Sequence, residues 1–192
     1  MVNIVNTKDQ LENIFWSITT KILGFNPENS LHQDKVRISW PTDGQPAFEI
    51  GKDYAYLKVV EVDSPINRLR NVTFTQQDVN NATQKSEYTR VIQVMWTFYG
   101  PSSYDRADLV KHSIFLDEYK SLFNANNLYL ITDVASPMRI PEQFQGQWWE
   151  RCDFTASFNE YVKRENTVPY IQSADITIKT DNGLQKNIEI SQ

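Results

Sequence analysis

The chain has 192 residues, of which 40% are hydrophobic and 22% charged, a composition typical of one folded domain. Nineteen basic and 24 acidic residues give a net charge of −5, and no Lys/Arg block stands out, which disfavours a surface that grips phosphate backbones. A single cysteine excludes an internal disulfide framework. No apolar run approaches the roughly 18 residues of a membrane span, and the polar N-terminus lacks an apolar leader. We therefore expect an intracellular product with no membrane partner.

The N-terminal segment is predicted to be an amphipathic helix. Thr7 and Gln10 form a T-x-x-Q capping box, and apolar residues recur at helical spacing from Leu11 to Leu23. Gly24 is placed to end this helix. The β-rich runs that follow are separated by turn residues and are predicted as three strands: Val36 to Trp40, Ala47 to Ile50 and Tyr54 to Val62.

Two further strands are predicted in the middle of the chain, over Leu69 to Thr75 and Glu87 to Tyr99. Between them, Gln76 to Ser86 is rich in Gln, Asn, Thr and Ser, and this stretch is predicted to be an exposed, mobile loop. The second strand carries apolar residues on both faces, which is typical of a central strand covered on two sides.

A second helix is predicted after the Gly100-Pro101 break. Ser102 or Ser103 can cap it, and Asp105 in its first turn favours the helix dipole. Apolar residues from Ala107 to Leu122 form its inner stripe, so the helix is expected to lie on a sheet.

The C-terminal third is predicted to be mainly β-structure. Leu128 to Asp133 reads as a short strand, and Trp148 to Val162 alternates as a half-buried strand does. Tyr170 to Thr180 and Leu184 to Ile190 flank an Asp-Asn-Gly turn, which predicts a hairpin. The sequence as a whole predicts a single α+β domain over residues 1–192, with a mainly antiparallel sheet, two principal helices and a C-terminal β-hairpin.

Residues for catalysis or metal binding are sparse. His32 and His112 lie in uninformative contexts, and Cys152 lies on the apolar face of its strand, where a buried, inert thiol is expected. One cysteine and two distant histidines do not make a zinc site, and no glycine-rich phosphate motif is present. We therefore expect no catalytic residue, no metal and no cofactor.

A carboxylate-based enzyme is the alternative that the acidic composition leaves open. It requires a pocket that brings together at least two of Glu150, Asp153 and Glu160.

Aromatic richness is the positive signal, with five Trp, nine Tyr and ten Phe. Trp148 and Trp149 are adjacent on a predicted strand and therefore face opposite sides. Core packing of both rings and a subunit interface both stay open as interpretations, since Trp and Tyr are favoured interface anchors. Directional ion pairs around such an interface are expected among six charged residues: Arg139, Arg151, Arg164, Glu142, Glu150 and Glu165.

Several short motifs occur together in a fixed order along the chain. They are Val36-Arg-Ile-Ser-Trp40-Pro41 with Gln45-Pro46, Phe98-Tyr99-Gly100-Pro101 before the helix with Asp105, Pro141-Glu142, Trp148-Trp149-Glu150-Arg151 and Phe158-Asn159. In order and spacing this set resembles the neck or tail terminator proteins of tailed bacteriophages, and the resemblance extends from Val36 to Lys179.

The resemblance implies a non-enzymatic α+β subunit that forms a homohexameric ring at the head-proximal end of the tail tube. Such a ring stops tube polymerisation and joins the tail to head-completion proteins. The implied partners are further copies of the chain, the tail tube protein and the head-completion proteins. DNA passes through the lumen without specific binding, and an acidic subunit is compatible with that passage. The implied location is the virion neck, after synthesis in the host cytoplasm.

Ring closure through head-to-tail contacts requires two unlike patches on each subunit. We expect these patches at the Trp148 to Arg151 neighbourhood and on the outer surface of the second helix. The candidate interface residues are Tyr99, Asp105, Arg139, Trp148, Trp149, Glu150 and Arg151. The nearest alternative role is another neck component, an adaptor or stopper that binds on the portal side.

Overall fold

The computed structural model of the protein describes residues 3–26, 28–29, 32, 34–39, 49, 51–78, 80–144, 146–169, 173–179, 183 and 185–191. Its helices are α1 (Lys8–Ile22), α2 (Ser103–Ser113) and α3 (Asp117–Asn124), and a 3-10 turn covers Pro65–Arg68. Its strands are β1 (Val36–Ile38), β2 (Tyr54–Val62), β3 (Asn71–Gln76), β4 (Asn81–Tyr99), β5 (Leu128–Leu130), β6 (Met138–Arg139), β7 (Glu142–Phe144), β8 (Gln147–Trp149), β9 (Arg151–Pro169), β10 (Ser173–Lys179) and β11 (Gln185–Ser191).

Seven strands form a mainly antiparallel sheet in the order β1-β2-β4-β9-β5, with β3 also paired to β4 and β6 also paired to β9. Among the described strand pairs, β1 with β2 is parallel and the others are antiparallel. The strands β7 with β8 and β10 with β11 form two separate hairpins. The α+β prediction and the C-terminal hairpin are confirmed. The predicted strand over Ala47 to Ile50 lies outside the described residues except for Glu49.

The capping box of α1 is present as predicted. The Thr7 hydroxyl accepts from the Gln10 backbone N–H at 3.2 Å, and the Gln10 side chain accepts from the Thr7 N–H at 2.8 Å. Gly24 follows the helix with a φ of +68°, a left-handed conformation that glycine adopts without steric cost. The sequence therefore determines both ends of this helix locally.

The core of the main sheet lies between one sheet face and the helices. Phe15 of α1 is fully buried and meets Phe158 of β9 at a ring distance of 4.9 Å. Trp96 of β4 stacks on Phe154 at 5.3 Å and donates its indole N–H to the Thr19 hydroxyl at 2.9 Å. Each fully buried side chain of this size contributes about 1.5–3 kcal/mol to folding. None of the described helices is long and apolar enough to span a membrane.

The second predicted helix is divided in two, so the described chain has three α-helices where the sequence predicted two. A turn between Ser113 and Asp117 separates α2 from α3, and it allows Ile114 and Phe123 to reach the same core. Ser102 occupies the N-cap position as predicted, but its side chain makes no cap bond. Its backbone N–H donates to the Asp53 carboxylate at 3.0 Å.

The predicted loop over Gln76 to Ser86 is wrong as well, because β4 begins at Asn81 and pairs with β3 through Glu87. Antiparallel pairing satisfies the backbone whatever the side chains are, so a polar segment can form a strand; residues 81–86 of β4 are half-buried apart from the buried Ala82. All six residues of β3 are exposed, including Val72 and Phe74. Within the described residues β3 pairs only with β4.

Backbone contacts divide the chain into two compact units. The main unit comprises Val5–Leu69 and Thr89–Tyr161, and the second unit comprises Met1–Ile4, Arg70–Tyr88 and Val162–Gln192. All seven candidate interface residues belong to the main unit. The single domain over residues 1–192 stays a prediction.

Candidate functional site

A tight turn at the end of β4 positions the candidate residues. Gly100 has a φ of +110°, and its N–H donates to the Glu150 carbonyl at 3.1 Å. A Cβ atom at Gly100 would lie 2.7 Å from the Lys52 carbonyl oxygen and 2.8 Å from the Asp53 Cα. Only glycine fits this approach to the segment that precedes β2, and the separate hydrogen bond to Glu150 joins the end of β4 to the residue between β8 and β9.

The two adjacent tryptophans face opposite sides, as a strand requires. Trp148 is 68% exposed, whereas Trp149 is half-buried and meets the Tyr99 ring edge-on at 6.5 Å. Core packing of both rings is therefore wrong, because Trp148 lies largely in solvent. Both tryptophans line a shallow cavity of about 140 Å³ together with Glu150 and Lys52.

An open groove of about 580 Å³ lies beside this cavity. Asp105 and Tyr104 of α2 line it together with Arg139 and Glu150. Arg139 donates to the Glu150 carboxylate at 2.9 Å, and this hydrogen bond raises the pKa of the exposed guanidinium. Glu150 lines both the groove and the tryptophan cavity, so the two depressions share one wall.

A cluster of hydrogen bonds joins the β7–β8 hairpin to β4 and β9. It consists of Glu142, Tyr99, Arg151 and Asp153 and is here called the Glu142 clamp. One Glu142 oxygen accepts from the Tyr99 hydroxyl at 2.9 Å and from Arg151 at 3.1 Å. Arg151 also donates to both Asp153 oxygens, at 2.9 and 2.7 Å. Hydrogen bonding to Asp153 raises the pKa of Arg151, while burial and the Glu142 contact raise the pKa of Tyr99 to about 12.

Each of the seven candidate residues lines the groove or the tryptophan cavity or belongs to the clamp. The predicted ion pairs of Arg139 and Arg151 both form. Arg164 and Glu165 belong to the second unit, where Arg164 donates to the Tyr88 hydroxyl at 3.3 Å. The Arg151–Asp153 pair was not predicted, although residues two apart on a strand share a face.

A buried ion-pair network elsewhere in the main unit was also not predicted. Glu160 is fully buried and accepts from the Arg90 side chain and from the Asn6 backbone N–H, the latter at 2.8 Å. Arg90 donates in turn to the Asn6 carbonyl at 2.6 Å. Burial acts to lower the pKa of Arg90, but the hydrogen bond and charge of Glu160 leave it raised. Glu160 occupies one of the alternating buried positions of β9. A charged residue at a position where the pattern expects an apolar one was the sequence signal for a buried ion pair.

Two of the three carboxylates that the enzyme alternative names lie far apart. Glu160 and Asp153 lie seven residues apart on β9, hence about 23 Å apart and on opposite faces. Each of the three carboxylates has its own guanidinium partner: Glu160 with Arg90, Asp153 with Arg151 and Glu150 with Arg139.

Other reactive groups do not extend this site. Cys152 is buried as predicted, and burial raises the pKa of its thiol. His112 is exposed, and His32 accepts a hydrogen bond from the Asn26 backbone N–H at 3.1 Å. Over the part of the chain that the structure describes, no group of His, Cys, Asp and Glu side chains is placed to hold a metal ion.

Comparison with known families identifies the kind of protein to which this arrangement belongs. The family described as phage neck terminator protein matches residues 9–183, a range that contains all seven candidate residues. No curated protein matches the chain significantly. The match confirms the resemblance that the ordered motifs indicated. The chain belongs to the phage neck terminator protein family, a family of structural proteins of the virion neck.

Proposed function

We propose that the protein forms a homohexameric ring at the head-proximal end of the phage tail tube, where it ends tube polymerisation and joins the tail to head-completion proteins. The observation that carries this proposal is the exposure of Trp148 beside an open groove in a chain of the neck terminator family. A large aromatic side chain held in water at 68% exposure is typical of an anchor that a partner covers.

A ring requires two unlike surfaces on each subunit, since a head-to-tail contact joins different patches. The first surface in this proposal consists of the groove, Trp148 and the Arg139–Glu150 pair. The second is the outer side of α2 and the following turn, where Leu109 is 43% exposed and Leu116 is 41% exposed. The proposal assigns contact between copies of the chain to these two surfaces.

The lumen of such a ring must let DNA pass without holding it. A subunit with a net charge of −5 opposes phosphate binding, because affinity for the DNA backbone grows with the number of basic contacts. The proposed role is mechanical, and we expect no turnover of a substrate.

The test combines the purified protein with preassembled tail tubes and, separately, with portal rings. Negative-stain images are expected to show a six-fold cap at one end of each tube and no further elongation when tube protein is added. Purified subunits in solution are an insufficient assay, because the tube can template the ring. A protein that stays monomeric and never decorates tube ends contradicts the proposal. Binding to portal rings alone replaces it with the adaptor or stopper role.

A further inference from the structure

We propose that Glu142 is a positioning residue, which holds the β7–β8 hairpin so that Trp148 is presented to the neighbouring copy of the chain in a preformed orientation. This inference rests on the proposed function, because it concerns the same assembly surface. Glu142 itself lies opposite Trp149, on the other face of the hairpin from Trp148.

The β7–β8 hairpin is too small to hold its own orientation. Each strand has three residues, and an isolated two-stranded hairpin of this length is marginally stable in water. The hairpin forms its own two-stranded sheet, and neither of its strands belongs to the seven-stranded sheet. Its orientation therefore depends on backbone bonds at its base, such as that from Gly100 to the Glu150 carbonyl, and on the contacts that its side chains make with neighbouring strands.

The register of the hairpin separates a tethered face from a presented face. Glu142 lies directly opposite Trp149, and Gln143 lies opposite Trp148. Cross-strand partners share a face, so Glu142 and Trp149 lie together on the face that contacts Tyr99. Trp148 lies on the other face, where it is 68% exposed.

Glu142 is the member of the tethered face with charged contacts to two strands of the main sheet. Its carboxylate accepts from Tyr99 of β4 at 2.9 Å and from Arg151 of β9 at 3.1 Å. Arg151 is itself held by both Asp153 oxygens, so the guanidinium is fixed before it reaches Glu142. Charge-assisted bonds to a fixed partner are the stronger class of hydrogen bond. A fixed hairpin lowers the entropic cost of docking Trp148.

The experiment compares Glu142→Ala and Glu142→Gln with the unchanged protein and with a charge-matched control, Asp63→Asn. Asp63 also pairs with an arginine, at 2.7 Å, but both side chains are mainly exposed. Amide hydrogen exchange of the peptide spanning residues 142–149 reports the hairpin directly. The protein concentration that half-saturates tube ends reports assembly.

Glu142→Ala is expected to speed exchange in residues 142–149 about tenfold and to raise the half-saturating concentration about tenfold, with exchange in β4 unchanged. Glu142→Gln keeps an acceptor oxygen and is expected to show about a third of each effect. Asp63→Asn is expected to match the unchanged protein in both measurements.

Exchange rates in residues 142–149 that are unaffected by both Glu142 variants overturn the positioning role. Faster exchange with unchanged tube binding overturns it too, since orientation would then not matter for assembly. The proposed function fails differently, when the unchanged protein decorates no tube ends at all. If Trp148→Ala binds tubes as the unchanged protein does, the assigned assembly surface is wrong, whatever the Glu142 variants do.

Discussion

Two charged clusters of the main unit use the same residue types for different ends. In the first, the fully buried Glu160 carboxylate is paired with Arg90, and both bind Asn6 near the N-terminus. In the second, Glu142 and Arg151 lie half-buried beneath an exposed tryptophan. Removal of one partner from a buried pair destabilises the fold, since it leaves an uncompensated charge. In our proposal the half-buried pair instead positions the hairpin that carries Trp148.

The largest loss of stability is expected from a substitution of Arg90. Arg90→Ala leaves the Glu160 carboxylate buried without its cation, and we expect the free energy of unfolding to fall by about 3–5 kcal/mol. Urea denaturation measures this loss. Arg68→Ala is the control, because it removes a pair with Asp63 whose side chains are 72% and 77% exposed, and it should cost less than about 1 kcal/mol. Equal losses from the two variants would mean that the buried network contributes no more than a surface pair.

Trp148→Ala tests the other side of the comparison. Because Trp148 is 68% exposed, we expect the free energy of unfolding to change by less than about 0.5 kcal/mol. Tube binding is expected to weaken by at least about 2 kcal/mol, since truncation of a desolvated aromatic anchor has a cost of that size. Thermal unfolding and end-decoration titrations measure the two quantities. A large loss of stability would instead assign the indole to the packing of the fold.

The Glu142 clamp is expected to respond to alkaline pH through Tyr99. The pKa of Tyr99 is raised to about 12 in the folded chain, chiefly by burial, from the ordinary tyrosine value of 10.0. The contribution of the protonated Tyr99 hydroxyl to the stability of the fold is therefore complete below pH 10. It is lost as the pH rises toward 12. Allowing for partial solvent screening, we expect the loss to be about 1 kcal/mol greater in the unchanged protein than in Tyr99→Phe.

Tyrosinate absorbance at high pH provides the independent measurement of this effect. The difference spectrum between the unchanged protein and Tyr99→Phe isolates the ionisation of Tyr99. This ionisation should occur at a higher pH in the folded chain than in the unfolded chain. If Tyr99 ionises with the exposed tyrosines, the clamp does not hold its hydroxyl.

The smallest effect is expected at the rim of the groove. Arg139 and Glu150 pair at 2.9 Å, but their side chains are 58% and 52% exposed. Arg139→Gln should lower the free energy of unfolding by no more than about 0.5 kcal/mol. Its effect on tube binding should be smaller than that of Trp148→Ala and should shrink further in high salt. An effect as large as that of Trp148→Ala would move the centre of the interface to the groove.

The parts of the fold that local chemistry determines were predictable. The capping box and Gly24 fix α1, and the alternation of β2 gives Tyr54 to Val62 with the bounds that the structure has. The division of the second helix was not predictable in this way, because no glycine or proline marks the turn after Ser113. The prediction for the polar start of β4 failed for a different reason. Its pairing with β3 depends on backbone hydrogen bonds, which leave no apolar pattern in the sequence.

The candidate site was predicted as residue types but not as an arrangement. Trp148 to Arg151 are neighbours in sequence, and their grouping needed no fold. The link from Tyr99 to Glu142 spans 43 residues and depends on the pairing of β4 with β9, which a single sequence does not reveal. The Arg90–Glu160 pair spans 70 residues and has the same origin.

The close approach at Gly100 also bears on the fidelity of strand pairing. Tyr54 pairs with Tyr99 at the end of the β2–β4 ladder, and Gly100 follows where the Lys52 and Asp53 backbone leaves no room for a side chain. A slip by one residue would bring Tyr99 or Pro101 into that space and would turn every side chain of the ladder to the wrong face. The missing Cβ atom at Gly100 thus favours one register of the β2–β4 ladder over registers shifted by one residue.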